Sequence, residues 1–158
     1  MSDKKPPIVR VKDLPVKTGS GYPSPYKEIV SGRSRWAGLG DVFGLDQFGV
    51  NVVTLEPGAW SSQRHWHAEE DEFVYVLEGE VVLGDDNGDY IMTAGMCAGF
   101  KANSGNGHHL KNVSDKTAVY LEMGSRKAKD HVTYSDIDML AIKDGGPWKF
   151  LKKDGSGF

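Results

Sequence analysis

Two histidines separated by a single residue, His65 and His67, are the sequence feature that most constrains the fold of this chain. Successive side chains of a β-strand point to opposite faces, so on a strand both imidazoles share one face and Trp66 takes the other. Glu72 follows at the head of an apolar run, residues 73–77. A carboxylate that enters the next strand from the same side would join the imidazoles in a ligand set suited to first-row transition metals.

A fourth donor is expected in a second block, GHHLKN, which follows a Gly-containing loop at residues 104–107. His108 is the candidate, and its neighbour His109 points the other way by strand alternation. A His-x-His pair alone often occurs by chance, and the acidic run at residues 69–72 is by default a solvated loop. The combination of the pair, the carboxylate and the second histidine block therefore carries the prediction of a metal site.

The first block resembles the first motif of the cupin family. That motif reads Gly, five residues, His-x-His, three or four residues, Glu, six residues, Gly. This chain has Gly58, His65, His67, Glu72 and Gly79, with six residues in the first gap, four in the second and six in the last. The spacing therefore differs from the family pattern by one residue, in the first gap only.

The second block resembles the second cupin motif, which reads Gly, five residues, Pro-x-Gly, two residues, His, three residues, Asn. The matching residues here are Gly95, Lys101, Asn103, His108 and Asn112, so Lys101 replaces Pro and Asn103 replaces Gly. The loop before His108 is two residues longer than the pattern. Asn accepts a positive φ more readily than other non-Gly residues, so the turn can still form.

The resemblance implies an all-β fold, a single antiparallel double-stranded β-helix of the jelly-roll or cupin-barrel type. It also implies a metal held by His65, His67, Glu72 and His108. The expected cofactor is one divalent transition metal, and ligand type alone does not choose among Fe, Mn, Ni, Zn and Cu. Four ligands leave two positions of an octahedral ion open, and an open position is what distinguishes a catalytic metal from a structural one.

The resemblance further implies a metal-dependent enzyme that acts on a small polar or anionic molecule in the barrel pocket. Sugar-phosphate isomerase-like and dioxygenase-like chemistries are both expected candidates, and no catalytic residue is assigned. One alternative is a non-catalytic module that binds or senses a small molecule. Another is an empty barrel whose histidines are core polar residues, which is disfavoured because a buried charge such as Glu72 needs a partner.

Three further residues are candidates for contact with the substrate. By strand parity, Ser61 and Gln63 share a face with His65 and His67, so they are expected to line the pocket. Lys101 lies near the predicted pocket mouth and is a candidate for binding an anion. The alternatives are that the first two are polar positions near a strand end and that Lys101 is a solvated amine.

The chain is long enough for one domain with a sizeable core. Residues 1–25 are polar and Pro-rich and predict an N-terminal arm, either an edge strand or an extension across a partner subunit. Residues 26–134 are predicted to form the cupin β-barrel, beginning with a strand at residues 26–36. Residues 135–158 are predicted to form an extended C-terminal tail packed on the barrel, in which Ser135 N-caps a short helix over residues 135–142.

Alternation along residues 72–78 predicts an exposed apolar stripe. If Glu72 points inward, Val74 follows it, and Phe73, Tyr75 and Leu77 remain on the outer face. Monomeric domains seldom leave such a stripe exposed to water. The sequence therefore predicts a homodimer formed through this outer face and the N-terminal arm.

Charge and cysteine content narrow the remaining function classes. The chain has 19 basic and 22 acidic residues and a formal net charge of −3, so neither nucleic acid nor an anionic membrane is an expected partner. The N-terminus is charged and contains Pro where a signal peptide requires an apolar core. Cys97 is the single cysteine, which favours a cytoplasmic location and is expected to be a buried apolar residue.

Overall fold

The strands of this chain pair in antiparallel fashion in a computed structural model, which describes residues 8–36 and 38–158. The strands are Val16–Thr18 (β1), Arg33–Trp36 (β2), Phe48–Leu55 (β3), His65–His67 (β4), Glu72–Glu78 (β5), Glu80–Asp85 (β6), Gly88–Thr93 (β7), Cys97–Phe100 (β8), His109–Lys111 (β9), Ala118–Ser125 (β10), Lys129–Tyr134 (β11), Leu140–Asp144 (β12) and Lys149–Leu151 (β13). The helices are Leu39–Phe43 (α1) and two 3-10 turns, Val11–Asp13 and Glu28–Val30. No helix among the described residues is long and apolar enough to cross a membrane.

Three sheets form the walls of the barrel. The largest has the strand order β1-β2-β3-β10-β5-β8, and the others have the orders β13-β12-β11-β4 and β7-β6-β9. An isolated bridge from His65 to His108 connects the two smaller sheets, and a second bridge pairs Trp60 with Lys111 of β9. The main core cluster combines residues of the large sheet, such as Val53, with Val81 of the facing sheet. The predicted all-β antiparallel jelly-roll fold is confirmed.

The inner face of the large sheet changes from apolar to polar along its strands. On β10 the inward residues are Tyr120, which is buried, and then Glu122. On the antiparallel strand β5 they are Val76, Val74 and then Glu72, and the register places Tyr120 opposite Val76 and Glu122 opposite Val74. Because cross-strand partners share a face, the carboxylates of the two strands collect at the same end of the barrel.

The predicted alternation along β5 agrees with the observed burial. Val74 is buried, whereas Tyr75 and Leu77 remain 37% and 40% exposed. Phe73 is only partly exposed. The expectation that Cys97 is buried is wrong, because Cys97 lies opposite Tyr75 in the register of β5 and β8 and therefore shares its exposed outer face.

Two predictions of local secondary structure, one for residues 26–36 and one for residues 135–142, also need correction. Residues 26–32 form turns and a 3-10 helix, and only Arg33–Trp36 is a strand, because residues 26–32 lack the alternation that a strand requires. Residues 135–142 do not form a helix, since Leu140–Asp144 pairs with β11 on one side and β13 on the other. Pairing with neighbouring strands thus overrides the local signal of Ser135 as a helix cap.

The described part of the N-terminal arm contains an edge strand, as predicted. Val16–Thr18 pairs with β2, so residues of the arm reach the large sheet. Residues 1–7 of the predicted arm lie outside the described residues. At the other end, β12 and β13 extend the sheet that contains β11. The domain boundaries after residues 25 and 134 stay predictions.

Candidate metal centre

Four predicted residues are brought together by the pairing of short segments from the two motif blocks. His65 and His67 occupy the two ends of β4, and Glu72 is the first residue of β5. His108 immediately precedes β9 and pairs with His65 through two backbone hydrogen bonds, in which each amide nitrogen donates to the other residue's carbonyl at 3.1 and 2.8 Å. The backbone therefore fixes the relative positions of the two motif blocks.

The side chains of these four residues converge. The Nε2 atoms of His108, His67 and His65 lie 3.2, 3.6 and 3.8 Å from Oε2 of Glu72. Donor atoms of His65, His67 and Glu72 all lie within 4.8 Å of one another. Three imidazole nitrogens and one carboxylate oxygen thus face a common centre inside the barrel.

The other ring nitrogens of His65 and His67 are held by the protein. Nδ1 of His67 donates to Oδ2 of Asp130 at 2.5 Å. Nδ1 of His65 donates to the carbonyl of Gln63 at 2.9 Å. A histidine that ligates a metal through one nitrogen commonly donates its other N–H to a carboxylate or carbonyl, which fixes the tautomer and the ring orientation. Both rings are therefore arranged to present Nε2 as a ligand.

His108 is oriented by packing instead. Its ring stacks on Phe100 with the ring planes 2° apart and the centroids 3.4 Å apart. Its Nδ1 is buried and has no hydrogen-bond partner among the described residues. The stacking leaves Nε2 directed toward Glu72, at 3.2 Å.

Asp130 is a supporting residue that the sequence did not reveal, because it belongs to a charged segment with no motif. It lies on β11, which pairs with β4 in a register that places Val132 opposite His67. The Asp130 side chain is fully buried, and its Oδ1 accepts hydrogen bonds from the backbone amides of Glu69 and His131 at 2.9 and 2.8 Å. A sequence signal for Asp130 would exist only if the pairing of these strands were already known.

The surroundings of the cluster favour the protonation state that can bind a metal in His65 and Glu72. They oppose it in His67. Burial lowers the pKa of His65 to about 4, so its imidazole is neutral near pH 7. Burial raises the pKa of Glu72, but a hydrogen bond from His108 and the nearby imidazoles outweigh it and lower the pKa to about 2. Burial lowers the pKa of His67, yet its hydrogen bond to Asp130 and the charge of Glu72 raise the pKa above its ordinary value. A proton on His67 therefore competes with a metal.

The chemistry of the donor set fits a divalent transition metal. Imidazole nitrogens suit Zn, Cu, Fe and Ni, and a carboxylate oxygen adds the hard donor that Mn also accepts. The four side chains are 9–22% exposed, so they are reached from a cavity rather than sealed in the core. A group bound there would meet a ligand entering from that cavity.

A cavity of about 460 Å³ opens onto the four residues, and this volume lies in the usual range of about 300–1,000 Å³ for small-molecule sites. Ser61 lines it, as predicted from parity, and its Oγ accepts a hydrogen bond from the amide of Leu110 at 2.9 Å. Gln63 is buried outside the cavity lining and donates to the carbonyl of Tyr26 at 3.2 Å. The Lys101 side chain is 79% exposed and pairs with Asp71 at 3.0 Å, also outside the lining.

The charged lining of the cavity comes from strands that the sequence did not connect with the site. Oε2 of Glu122 lies 2.6 Å from Nη2 of Arg33, and its Oε1 accepts a hydrogen bond from Nδ2 of Asn51 at 3.1 Å. Nη1 of Arg35 lies 3.7 Å from the same Oε1. Glu122 escaped prediction because Ala118 and Tyr120 compete with Val119 and Leu121 for the inner face of β10.

Comparison with known proteins gives a family match and two extensive structural matches. A family model described as "Cupin domain" matches residues 51–124. A sugar phosphate isomerase of the cupin superfamily from Silicibacter pomeroyi is 45% identical with a TM-score of 0.92, and the match covers 96% of each chain. A protein provisionally assigned as a sugar phosphate isomerase, from Acidithiobacillus ferrooxidans, is 31% identical with a TM-score of 0.70, over 77% of this chain and 78% of that one.

More distant matches support the fold alone. A polyketide cyclase from Streptomyces resistomycificus is 18% identical with a TM-score of 0.64, over 76% of this chain and 79% of that one. No curated protein sequence matches this chain significantly.

Proposed function

This chain belongs to the cupin family, and from that premise we propose that it is a metal-dependent isomerase of a small sugar phosphate. The observation that carries the proposal is the convergence of three Nε2 atoms on Oε2 of Glu72 at 3.2–3.8 Å, at the wall of a cavity. The 45% identity with a sugar phosphate isomerase over 96% of both chains supports this substrate class.

The residues that would hold the metal are His65, His67, Glu72 and His108, through their Nε2 and Oε2 atoms. A bound divalent ion would supply a Lewis acid that polarises a carbonyl oxygen of the substrate. Asp130 would maintain His67 in the tautomer that leaves Nε2 free, because Nδ1 donates its proton to this carboxylate.

Isomerisation of an aldose to a ketose needs a base close to the carbonyl. The reaction removes a proton from the carbon beside the carbonyl carbon and delivers a proton to the carbonyl carbon, while a second proton passes between the two oxygens. Glu72 faces the imidazoles, and Glu70 pairs with Lys143 at 2.6 Å. Glu122 is the remaining glutamate that lines the cavity among the described residues.

Glu122 is suited to carry the proton between the two carbons. It is a diagonal cross-strand neighbour of Glu72, and the residues of such pairs lie about 7–8 Å apart. This separation leaves room for a substrate between the metal ligands and the base. Arg33 and Asn51 donate to the Glu122 carboxylate, so they fix its position.

The test is a screen of aldose and ketose phosphates with metal-loaded protein in D₂O, followed by NMR. The proposal expects conversion of an aldose phosphate to its ketose, with deuterium at the carbon that receives the proton. Consumption of O₂ without isomerisation would contradict it in favour of dioxygenase chemistry. Stoichiometric binding without any product would contradict it in favour of a non-catalytic binding module.

A further inference from the structure

Three cationic side chains line the cavity and have no direct part in the proton transfer. Lys17 on β1 lies directly opposite Arg35 on β2, and Arg33 lies two residues from Arg35 on the same strand. Cross-strand partners and alternate residues of a strand share a face, so all three side chains lie on one face. All three line the cavity that contains the four converging residues.

The acidic residues of the cavity do not neutralise these cations. Among the described residues, Glu122 is the carboxylate that contacts the two arginines, at 2.6 Å from Arg33 and 3.7 Å from Arg35. Glu70 pairs with Lys143, and Glu72 faces the imidazoles. This part of the lining therefore carries three positive charges and one negative charge. The net charge of about +2 is available to an anionic ligand.

Both arginines also have buried donors without a partner. The Nε atoms of Arg33 and Arg35 are buried and make no hydrogen bond within the described residues. A buried donor that has lost its water is unfavourable unless an acceptor replaces that water. A phosphate group offers several acceptor oxygens in one place, and the planar guanidinium matches its geometry.

We propose that Lys17, Arg33 and Arg35 form an anion subsite that binds the phosphate of a sugar phosphate while its carbonyl end faces the histidines. The identity of the anion as a phosphate ester rests on the proposed function, whereas the subsite rests on the placement of the cations. Arg33 has a second role here, since it also fixes Glu122. Lys17 makes the N-terminal edge strand part of the binding site.

The experiment measures binding by isothermal titration to the metal-loaded protein. The ligands are a sugar phosphate, the same sugar without phosphate, and inorganic phosphate. Inorganic phosphate is also titrated into metal-free protein, which separates binding by the cations from binding by the metal. The variants are Lys17→Gln and Arg35→Gln. The matched control is Lys129→Gln, because its exposed ammonium pairs with Asp144 on another sheet.

The subsite predicts that Arg35→Gln weakens binding of the sugar phosphate at least tenfold and Lys17→Gln at least threefold. Affinity for the unphosphorylated sugar stays within twofold, and Lys129→Gln leaves both affinities unchanged. Metal-free protein still binds inorganic phosphate, and the two variants lose it. Unchanged phosphate binding in Lys17→Gln and Arg35→Gln would overturn the subsite. Lys17 lies on an exposed edge strand, so its variant remains informative if Arg35→Gln fails to fold.

The subsite and the isomerase proposal fail in different ways. If both variants lose phosphate affinity and no sugar phosphate is turned over, the subsite stands and the isomerase assignment is wrong. If turnover occurs and KM for the sugar phosphate is unaffected in both variants, the isomerase stands and the subsite is wrong.

Discussion

Nδ1 of His67 lies 2.5 Å from the fully buried carboxylate of Asp130, a residue 63 positions further along the chain. The antiparallel pairing of β4 with β11 creates this contact. Because the hydrogen bond occupies Nδ1, the opposite nitrogen of the ring faces Glu72. The orientation of one candidate ligand thus depends on a strand that lies outside both motif blocks.

Replacement of Asp130 by Asn is expected to weaken divalent-metal affinity by about 10–100-fold, the usual effect of losing such a supporting carboxylate. Asn can accept a hydrogen bond from His67 but carries no charge to increase the basicity of the ring. Competition with a chromophoric chelator measures the change. Asp144→Asn is the control, since this carboxylate is exposed in the same sheet. Equal affinities in the two variants would refute the role of Asp130.

His67→Ala is expected to lower metal content and abolish turnover, while the barrel still folds. The side chain supplies one of the four converging donor atoms, yet it is not part of the main core cluster. Elemental analysis of protein purified without chelator, together with circular dichroism, separates the two effects. A variant that keeps its metal would refute the ligand assignment.

Metal occupancy is expected to fall as the pH drops through about 6, because ligating histidines must be neutral. The pKa of His67 is raised despite its burial, mainly by Asp130, so His67 takes up a proton before His65, whose pKa burial lowers to about 4. Dialysis at stepped pH followed by elemental analysis measures the transition. Constant occupancy down to about pH 4 would contradict this competition, because ordinary histidines are protonated there.

In the metal-free protein the same two histidines have opposite effects on stability. The pKa of His65 is lower in the folded than in the unfolded state, so its contribution to stability declines as the pH falls from about 6.5 to about 4. The pKa of His67 is raised, so its contribution is fully present below about 6.5 and is lost as the pH rises through the folded-state pKa. Removal of the metal is therefore expected to change the activity. It is also expected to change how the free energy of unfolding depends on pH.

Glu122→Gln is expected to reduce kcat of the proposed isomerisation by about 10²–10⁴-fold, the usual contribution of general acid–base catalysis. The amide keeps the shape of the side chain but cannot accept the carbon-bound proton. Metal content is expected to stay the same, because Glu122 contacts Arg33 and Asn51 rather than the histidines. Steady-state kinetics with elemental analysis tests both points, and wild-type kcat in the variant would exclude Glu122 as the base.

Gly79→Ala is expected to destabilise the fold more than Gly58→Ala. Both glycines have positive φ, 74° and 81°, and this conformation costs other residues about 1–2 kcal/mol. A Cβ at Gly79 would also lie 2.7 Å from the carbonyl oxygen of Thr117, whereas a Cβ at Gly58 meets nothing within 4 Å. The resulting overpacking adds about 1–3 kcal/mol. Urea unfolding measures both variants, and equal midpoints would contradict the steric argument.

The sequence predicts the parts of the site that are local in the chain. His65 and His67 share one face by strand parity, and Glu72 follows within eight residues of His65, at the head of the next strand. Asp130, Glu122 and the arginines reach the site only through pairing between distant segments, which no local pattern encodes.

Other predictions failed where a neighbouring strand decided the outcome. Leu140–Asp144 forms a strand between β11 and β13, although Ser135 as a helix cap predicted a helix over residues 135–142. Cys97 is exposed because it lies opposite Tyr75 and shares the outer face of the sheet with it. Gln63 shares the parity of the ligand histidines, but the chain bends before β4, and Gln63 instead donates to the backbone carbonyl of Tyr26.

We propose that the chain forms a homodimer through the outer face that carries Phe73, Tyr75 and Leu77, together with the N-terminal arm. Tyr75 and Leu77 are 37% and 40% exposed there, and Cys97 lies directly opposite Tyr75. Burial of apolar side chains by a second copy would remove them from water. Leu77→Asp is therefore expected to convert a dimer to a monomer in light scattering coupled to size-exclusion chromatography.

Ile91→Asp is the matched control for this dimer, because Ile91 is 64% exposed but lies on β7 in another sheet. Cys97 provides a second, independent measurement. In the dimer its thiol is expected to react slowly with a maleimide, and Leu77→Asp should restore fast labelling because the partner no longer covers it. A wild-type protein that is monomeric and labels rapidly would show that this face is open to solvent and that the dimer proposal is wrong.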